Sequence, residues 1–177
     1  MNIGILGGGR VGGALAQSWK NAGHDVTIST RETILETAAS ADVLLLAVPC
    51  TAAAEVIAAA GDIDGKVLID ATNNLSGGPD GAEIAAMAPG ADTVKAFNTV
   101  FAQFFAHPPA TAPTLVFAGD DQAAKDTVAG LIRDAGFDPL DAGGHVEATD
   151  LEAFARLVIG IAYRQGKGPF VYRFEAS

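Results

Sequence analysis

Residues 1–13 read MNIGILGGGRVGG, a short apolar run followed at once by closely spaced glycines. The run Ile3–Leu6 predicts a strand, and helix-forming residues continue from about Arg10 to Asn21. In the pattern Gly7-x-Gly9-x-x-Gly12, we expect Gly7 to allow a tight turn, Gly9 to admit a phosphate to the backbone N–H groups, and Gly12 to bring helix and strand close together. The helix N-terminus adds roughly half a positive charge. The stretch therefore predicts a cradle for the pyrophosphate of a dinucleotide.

The residues after the second predicted strand indicate which dinucleotide is bound. NAD-binding versions of this motif place an acidic residue roughly 20 positions beyond the glycines, where it bonds the ribose 2′-hydroxyl. This chain has Ser29-Thr30-Arg31 at that place. Hydroxyls and a guanidinium suit a 2′-phosphate, because arginine makes charge-assisted and often bidentate bonds to phosphate. The prediction is NADP(H) rather than NAD(H), with Glu32 in the first turn of the next helix.

Short apolar strands alternate with helical segments along the whole chain, which predicts one α/β domain with a Rossmann-type, doubly wound and mostly parallel sheet. The predicted strands are Ile3–Leu6, Val26–Ser29, Val43–Val48, Val67–Asp70, Thr93–Ala96, Thr114–Ala118 and a weaker pattern near Asp138–Leu140. The predicted helices are Arg10–Asn21, Arg31–Ser40, Thr51–Ala60, Gly81–Met87, Thr99–Ala106, Gln122–Ala135 and a last helix that starts after a cap at Thr149 or Asp150.

The end of the chain carries two apolar patterns. The last helix is expected to present one apolar face, made by Leu151, Phe154, Leu157, Val158 and Ile161. The tail, residues 165–177, has aromatic side chains at alternating positions, which predicts either a closing strand or an arm that packs on a partner.

Polar residues follow three of the predicted strands at their carboxyl ends, where ligands bind in sheets of this kind. The three ends read Ala47-Val48-Pro49, Asp70-Ala71-Thr72-Asn73-Asn74 and Lys95-Ala96-Phe97-Asn98-Thr99. We expect Val48 and Pro49 to form an apolar wall for the nicotinamide, and Asn73 and Asn98 to bond its carboxamide or a ribose. Thr72 is either a further contact or a turn former. Whether Lys95 and His145 face the site stays open from sequence alone.

No general base or acid stands out among these residues, and no catalytic side chain is predicted. A hydride can pass between two cofactor rings when the protein supplies only orientation and a dry site. The three histidines have no metal-ligand spacing, and the single Cys50 is expected to be a small side chain beside the crevice. No metal site is predicted.

The composition narrows the partners and the location. The formal net charge of −10 argues against nucleic acid and anionic membranes as partners. No apolar run approaches the roughly 20 residues that cross a bilayer. Residues before the first strand offer no basic leader region, and a cytoplasmic location is expected.

Taken over nearly its whole length, the chain resembles the F420-dependent NADP oxidoreductases, and more distantly the reductase domain of six-transmembrane metalloreductases. The resemblance is most specific at Asp70–Asn73 and Lys95–Thr99. It implies NADP(H), a deazaflavin (F420) or flavin ring as hydride partner, and a homodimer in which the C-terminal helix packs on the partner. Carried over by position, the family's cofactor contacts are Gly7, Gly8, Gly9, Arg10, Val11 and Gly12 for the pyrophosphate, Ser29, Thr30 and Arg31 for the 2′-phosphate, and Ala47, Val48 and Pro49 for the nicotinamide.

Three functions remain open at this stage. The first is hydride transfer between NADP(H) and F420. The second is an NADPH-dependent flavin or ferric reductase. The family often has Asn-Pro where this chain has Asn73-Asn74, and the metalloreductase branch has two asparagines there, so the resemblance leaves the acceptor open. The third is an NADP(H)-sensing module without catalysis.

Overall fold

The computed structural model describes residues 1–75 and 77–175, and the predicted tail's last two residues lie outside this range. Each predicted strand is present, with its ends within two residues of the predicted ones. The strands are β1 Asn2–Leu6, β2 Asp25–Ile28, β3 Val43–Leu46, β4 Val67–Asp70, β5 Asp92–Lys95, β6 Thr114–Gly119 and β7 Asp138–Asp141.

Helices connect most of these strands. They are α1 Arg10–Asn21, α2 Ile34–Ser40, α3 Ala53–Ala60, α4 Gly81–Met87, α5 Gln103–Ala106, α6 Gln122–Asp134 and α7 Ala148–Ile159. Short 3₁₀ turns at Cys50–Ala52 and His145–Glu147 precede α3 and α7, and a π-helical turn, Gly160–Arg164, continues α7.

The strands form one sheet in the order β2-β1-β3-β4-β5-β6-β7, which confirms the predicted doubly wound fold. The pairs from β2 to β5 are all parallel, whereas β6 runs antiparallel to β5. The chain therefore leaves β5 and enters β6 at the same edge of the sheet. As a result, residues 96–113 stay at the carboxyl edge of the parallel strands, beside the predicted site.

The sheet separates two hydrophobic clusters. One lies between the sheet and helices α1 and α6, and its aromatic rings Trp19, Phe97, Phe105 and Phe137 contact one another edge to face. The other is aliphatic and packs β1, β3 and β4 against α2, α3 and α4. Strands covered on both faces are expected to be almost continuously apolar, as β3 is.

Several predicted helix ends are wrong. The helix predicted over Thr99–Ala106 is reduced to Gln103–Ala106, because Phe97 has a positive φ of 64° and the chain turns sharply after β5. Neither Thr149 nor Asp150 caps α7. That helix begins at Ala148 out of a 3₁₀ turn, with Glu147 as an N-cap residue that makes no side-chain bond.

The predicted apolar face of the last helix is only partly correct. Leu151 and Val158 are buried, but Leu157 is 56% exposed and Ile161 is 36% exposed. Glu152 takes a buried place on the helix instead. The tail folds back on this chain: Thr114 N donates to Tyr172 O, and the Tyr172 ring packs edge to face on Phe154.

Candidate functional site

A crevice of about 740 Å³ opens at the carboxyl edge of the sheet. One wall is made by the residues that follow β1, β3, β4 and β5, and the other by the C-terminal part of α7 and Tyr163. The crevice brings together seven of the residues that the sequence singled out: Arg10, Val11, Ala47, Val48, Pro49, Asn73 and Asn98.

The glycine turn has the close contacts that the motif requires. Gly7 has a φ of 120°, and a Cβ there would lie 2.5 Å from the backbone oxygen of Ala47. A Cβ on Gly12 would overlap the backbone oxygen of Gly7. Gly7 is therefore needed for the turn beside the end of β3, and Gly12 for the packing of α1 against β1.

Gly9 is different, because a Cβ built there meets no atom within 4 Å. The space in front of the first turn of α1 is open, and no side chain caps this helix. The first backbone N–H groups of a helix have no partner within the helix. An open space facing unpaired donors fits a pyrophosphate, so the residues present are suited to a dinucleotide.

Ser29, Thr30 and Arg31 lie just after β2, outside the crevice wall. Arg31 is exposed and forms no ion pair with a described residue. Glu32 precedes α2 instead of lying in its first turn, so its predicted place is wrong. The Thr30 hydroxyl donates to Glu32 Oε2 at 2.7 Å. This bond is the main cause that lowers the pKa of the Glu32 carboxyl, and Arg31 adds to it.

Two asparagines from neighbouring strand ends bond each other at the centre of the crevice. Asn73 Nδ2 donates to the Asn98 backbone oxygen at 2.8 Å, and Asn98 Nδ2 donates to Asn73 Oδ1 at 3.1 Å. Asn98 Oδ1 is buried and has no hydrogen-bond partner. Unsatisfied buried acceptors are rare in proteins. An amide N–H of a bound molecule would satisfy this oxygen, as the nicotinamide carboxamide would.

Lys95 does not line the crevice but lies beneath it in a buried ion-pair cluster. Its Nζ donates to Asp70 Oδ2 at 2.8 Å and to Glu152 Oε1 at 2.7 Å, and the side chains are at most 1% exposed. Thr72 belongs to this cluster, with Oγ1 3.5 Å from Lys95 Nζ, and is not on the crevice wall. The cluster ties the ends of β4 and β5 to α7.

The half of the crevice next to α7 is apolar, and the sequence predicts only that residues from about 150 to 177 contribute to a dimer or to the acceptor site, without naming side chains. It is lined by Phe101, Ala102, Ala106, Ala155, Val158, Ile159 and Tyr163. The rings of Phe101 and Tyr163 meet edge to face, with centroids 5.7 Å apart.

Thr99 also lines the crevice, and its hydroxyl is 2.5 Å from the hydroxyl of Tyr172 in the tail. Burial raises the pKa of Tyr172 to about 12, against the opposing effect of this bond. At neutral pH the Tyr172 hydroxyl is therefore a neutral anchor for the tail.

The remaining candidates have structural partners. His145 Nε2 is 2.8 Å from the Gly81 backbone oxygen, and His24 Nε2 is 3.0 Å from Asp134 Oδ2. Cys50 is buried, and its thiol donates to the Gly77 backbone oxygen at 3.6 Å. None of these side chains lines the crevice.

Comparison with known proteins agrees with this geometry. Residues 2–35 and 32–74 match the family described as NADP oxidoreductase, coenzyme F420-dependent. A crystal structure from Arthrobacter sp. FB24, provisionally identified as an F420-dependent NADP-reductase, is 26% identical and superimposes with a TM-score of 0.88, covering 99% of this chain and 100% of that one.

Two further relatives are longer than this chain. The metalloreductase STEAP3 of Rattus norvegicus is 30% identical, in an alignment that covers 85% of this chain and 36% of that protein. A reductive aminase from Aspergillus terreus, solved with NADPH and ethyl levulinate, is 20% identical with a TM-score of 0.71, over 93% of this chain and 62% of that one. This last likeness concerns the fold alone.

These findings show that the chain is similar to NADP-dependent oxidoreductases. The predicted resemblance to the F420-dependent NADP oxidoreductases is confirmed. Among the described residues, no helix has the length and apolar character needed to cross a membrane.

Proposed function

We propose that this protein transfers a hydride between NADP(H) and a deazaflavin ring of the F420 type. The observation that carries the proposal is the shape of the crevice. It runs from the mouth of the glycine turn, past the paired asparagines, into an apolar space between Phe101 and α7. That space gives a second flat ring a dry place against the nicotinamide.

In this proposal the protein's residues bind and orient the two rings. The N-terminus of α1 binds the pyrophosphate, and Ser29, Thr30 and Arg31 bind the 2′-phosphate. Ala47, Val48 and Pro49 lie against the nicotinamide, and Asn98 Oδ1 accepts from its carboxamide. NADP(H) itself supplies the hydride chemistry. No proton-transfer residue is needed, because the hydride passes directly from ring to ring.

A flavin or ferric reductase is the second candidate, favoured by the likeness to the rat metalloreductase. Asn74, which distinguishes the two branches, has a structural role here. It accepts from Gly77 N and donates to the Gly78 backbone oxygen, and it does not line the crevice. These contacts favour neither acceptor over the other.

The test is NADPH oxidation by the purified protein with F420, FMN, FAD and ferric chelate as separate acceptors. Turnover with F420 alone supports the first proposal, and turnover with a flavin or ferric chelate supports the second. Tight NADPH binding without any turnover favours an NADP(H)-sensing module and would refute both.

Variants of Arg31 and Glu32, which follow β2, test whether the protein prefers NADP(H) to NAD(H). We expect Arg31→Ala to raise the KM for NADPH by about tenfold and to leave that for NADH nearly unchanged. Glu32→Gln is the matched variant, since it removes a negative charge beside the 2′-phosphate and is expected to lower the KM for NADPH. Equal effects of Arg31→Ala on the two cofactors would contradict the assignment.

We propose further that the chain is a cytoplasmic homodimer in which residues from about 150 to 177 contribute to the dimer or to the acceptor site. The exposed apolar side chains of Ile161 and Phe174, which do not line the crevice, support a partner for this part of the chain. Sedimentation of the protein and of Ile161→Glu tests this, and a wild-type monomer at micromolar concentration would exclude it.

A further inference from the structure

A second hollow, of about 470 Å³, continues the crevice past α7. Its lining residues are Leu75, Arg156, Leu157, Ile159 and Arg164. Leu75 and Ile159 line the crevice as well, so the two spaces share a wall. A molecule whose ring lies in the apolar half of the crevice can therefore reach the hollow with a flexible tail.

Two cations face this hollow in a strongly acidic protein. The chain has 11 lysines and arginines against 21 aspartates and glutamates. Arg156 and Arg164 are both exposed, and neither forms an ion pair with a described residue. They are two helical turns apart on α7 and its continuation, so both reach the same side.

The backbone favours this arrangement of Arg164. Its guanidinium packs against Gly160, where a Cβ would overlap Nη2. The π-helical turn Gly160–Arg164 places Tyr163 in the crevice and the next residue, Arg164, in the hollow. Such turns occur frequently at functional sites.

We propose that this hollow binds the anionic tail of the hydride partner, through a phosphate ester or a carboxylate held by Arg156 and Arg164. The planar guanidinium group matches both anions and binds them bidentately. The phosphates of NADP(H) have their own donors at the first turn of α1 and after β2, and none of those residues lines the hollow. The inference rests on the proposed function, because it needs a ring compound in the apolar half of the crevice.

The experiment compares ring compounds that differ only in the tail. Binding of FMN and riboflavin, and of F420 and its tail-free deazaflavin, is measured by fluorescence in the presence of NADP⁺. The proteins are the wild type, the double variant Arg156→Ala/Arg164→Ala, and Arg133→Ala as a matched control from the last turn of α6. F420 carries a phosphate and carboxylates, whereas FMN carries only a phosphate. Comparing the two pairs of compounds therefore shows whether the arginines bind the phosphate or a carboxylate.

We expect the wild type to bind at least one tailed compound more tightly than its tail-free form. The double variant should lose about tenfold or more in affinity for that tailed compound and leave the tail-free form unchanged. Arg133→Ala should behave as the wild type, and the affinity for NADPH should be the same in all three proteins.

Other results overturn the inference. They are an equal loss for tailed and tail-free compounds, no loss in the double variant, no binding of any ring compound, or a change in oligomeric state in place of a change in affinity. If the arginines govern binding but no hydride is transferred, the tail site stands and the proposed function fails. If hydride is transferred with no effect of the tail, the function stands and the tail site fails.

Discussion

Lys95→Met is the substitution with the largest expected effect on stability. The Lys95 ammonium lies 2.8 Å from Asp70 Oδ2 and 2.7 Å from Glu152 Oε1, and all three side chains are withdrawn from water. Methionine has a similar volume, so the change removes the charge and leaves little cavity. What remains is a pair of buried carboxylates without their cation.

Breaking a buried ion pair by removal of one partner costs about 3–5 kcal/mol. The carboxylates keep weaker bonds in the variant, because Thr72 N donates to Asp70 Oδ1 at 2.8 Å and Asn74 N lies 3.4 Å from Glu152 Oε2. These bonds do not neutralise the charge, so we expect the full range to apply. For a domain of this size the loss corresponds to a fall in Tm of roughly 10 °C.

The assay is urea unfolding followed by tryptophan fluorescence. Trp19 is the single tryptophan, is fully buried, and packs edge to face on Phe97, two residues after Lys95. Lys125→Met is the matched control, since its partner Asp141 is 3.0 Å away but 40% exposed. The ion pair between Lys125 and Asp141 should contribute about 1 kcal/mol or less to the free energy of unfolding. If Lys95→Met costs no more than Lys125→Met, the buried cluster does not hold α7 to the sheet.

Two other predictions use the glycine turn and the tail. Gly9→Ala should leave the urea midpoint unchanged, because its Cβ meets open space, yet weaken NADPH binding about tenfold or more by occupying the phosphate position. Gly12→Ala should lower both the urea midpoint and the affinity for NADPH, whereas the neighbouring variant Gly13→Ala should change neither. Equal losses of NADPH affinity in Gly9→Ala and Gly13→Ala would contradict the assignment of the glycine turn as the pyrophosphate site. The pKa of Tyr172 is raised from 10.0 to about 12. The unfolded chain therefore loses this proton first, and the stabilisation is complete below pH 10 and falls as the pH rises towards 12. The stability difference between the wild type and Tyr172→Phe should shrink by roughly 1.4 kcal/mol between pH 9 and pH 11. A difference that stays constant over this range would show that the hydroxyl ionises normally.

The cofactor half of the site was predictable because its geometry is local or follows from parallel strands. The glycine turn joins two adjacent elements, and the contacts of Gly12 with Gly7 and Ile5 are within one strand–turn–helix unit. Gly7 contacts Ala47, which follows the neighbouring parallel strand β3. Asn73 and Asn98 are far apart in sequence, but each follows a strand of a parallel sheet. The carboxyl ends of such strands meet at one edge, so the pairing of the two side chains follows from the fold.

The other half depends on tertiary packing that no local pattern encodes. The periodicity of α7 predicts that Leu157 and Ile161 are buried, yet the helix turns Glu152 inward because Lys95 lies there to pair with it. The positive φ of Phe97 shortens α5, and the π-helical turn rotates Tyr163 into the crevice. The Lys95–Glu152 pair joins segments that are 57 residues apart in sequence.

The buried cluster links these two halves physically. The glycine turn lies between β1 and α1, whereas the apolar wall of the crevice lies on α7, which Lys95 holds to the ends of β4 and β5 through Glu152 and Asp70. Under the proposed function, the distance between the two rings would therefore be set by three side chains that do not line the crevice. Hydride transfer depends steeply on the separation and orientation of the reacting atoms. A Lys95 variant that still folds should therefore retain most of its NADPH affinity, which the cradle determines, and lose its turnover, which the position of α7 determines.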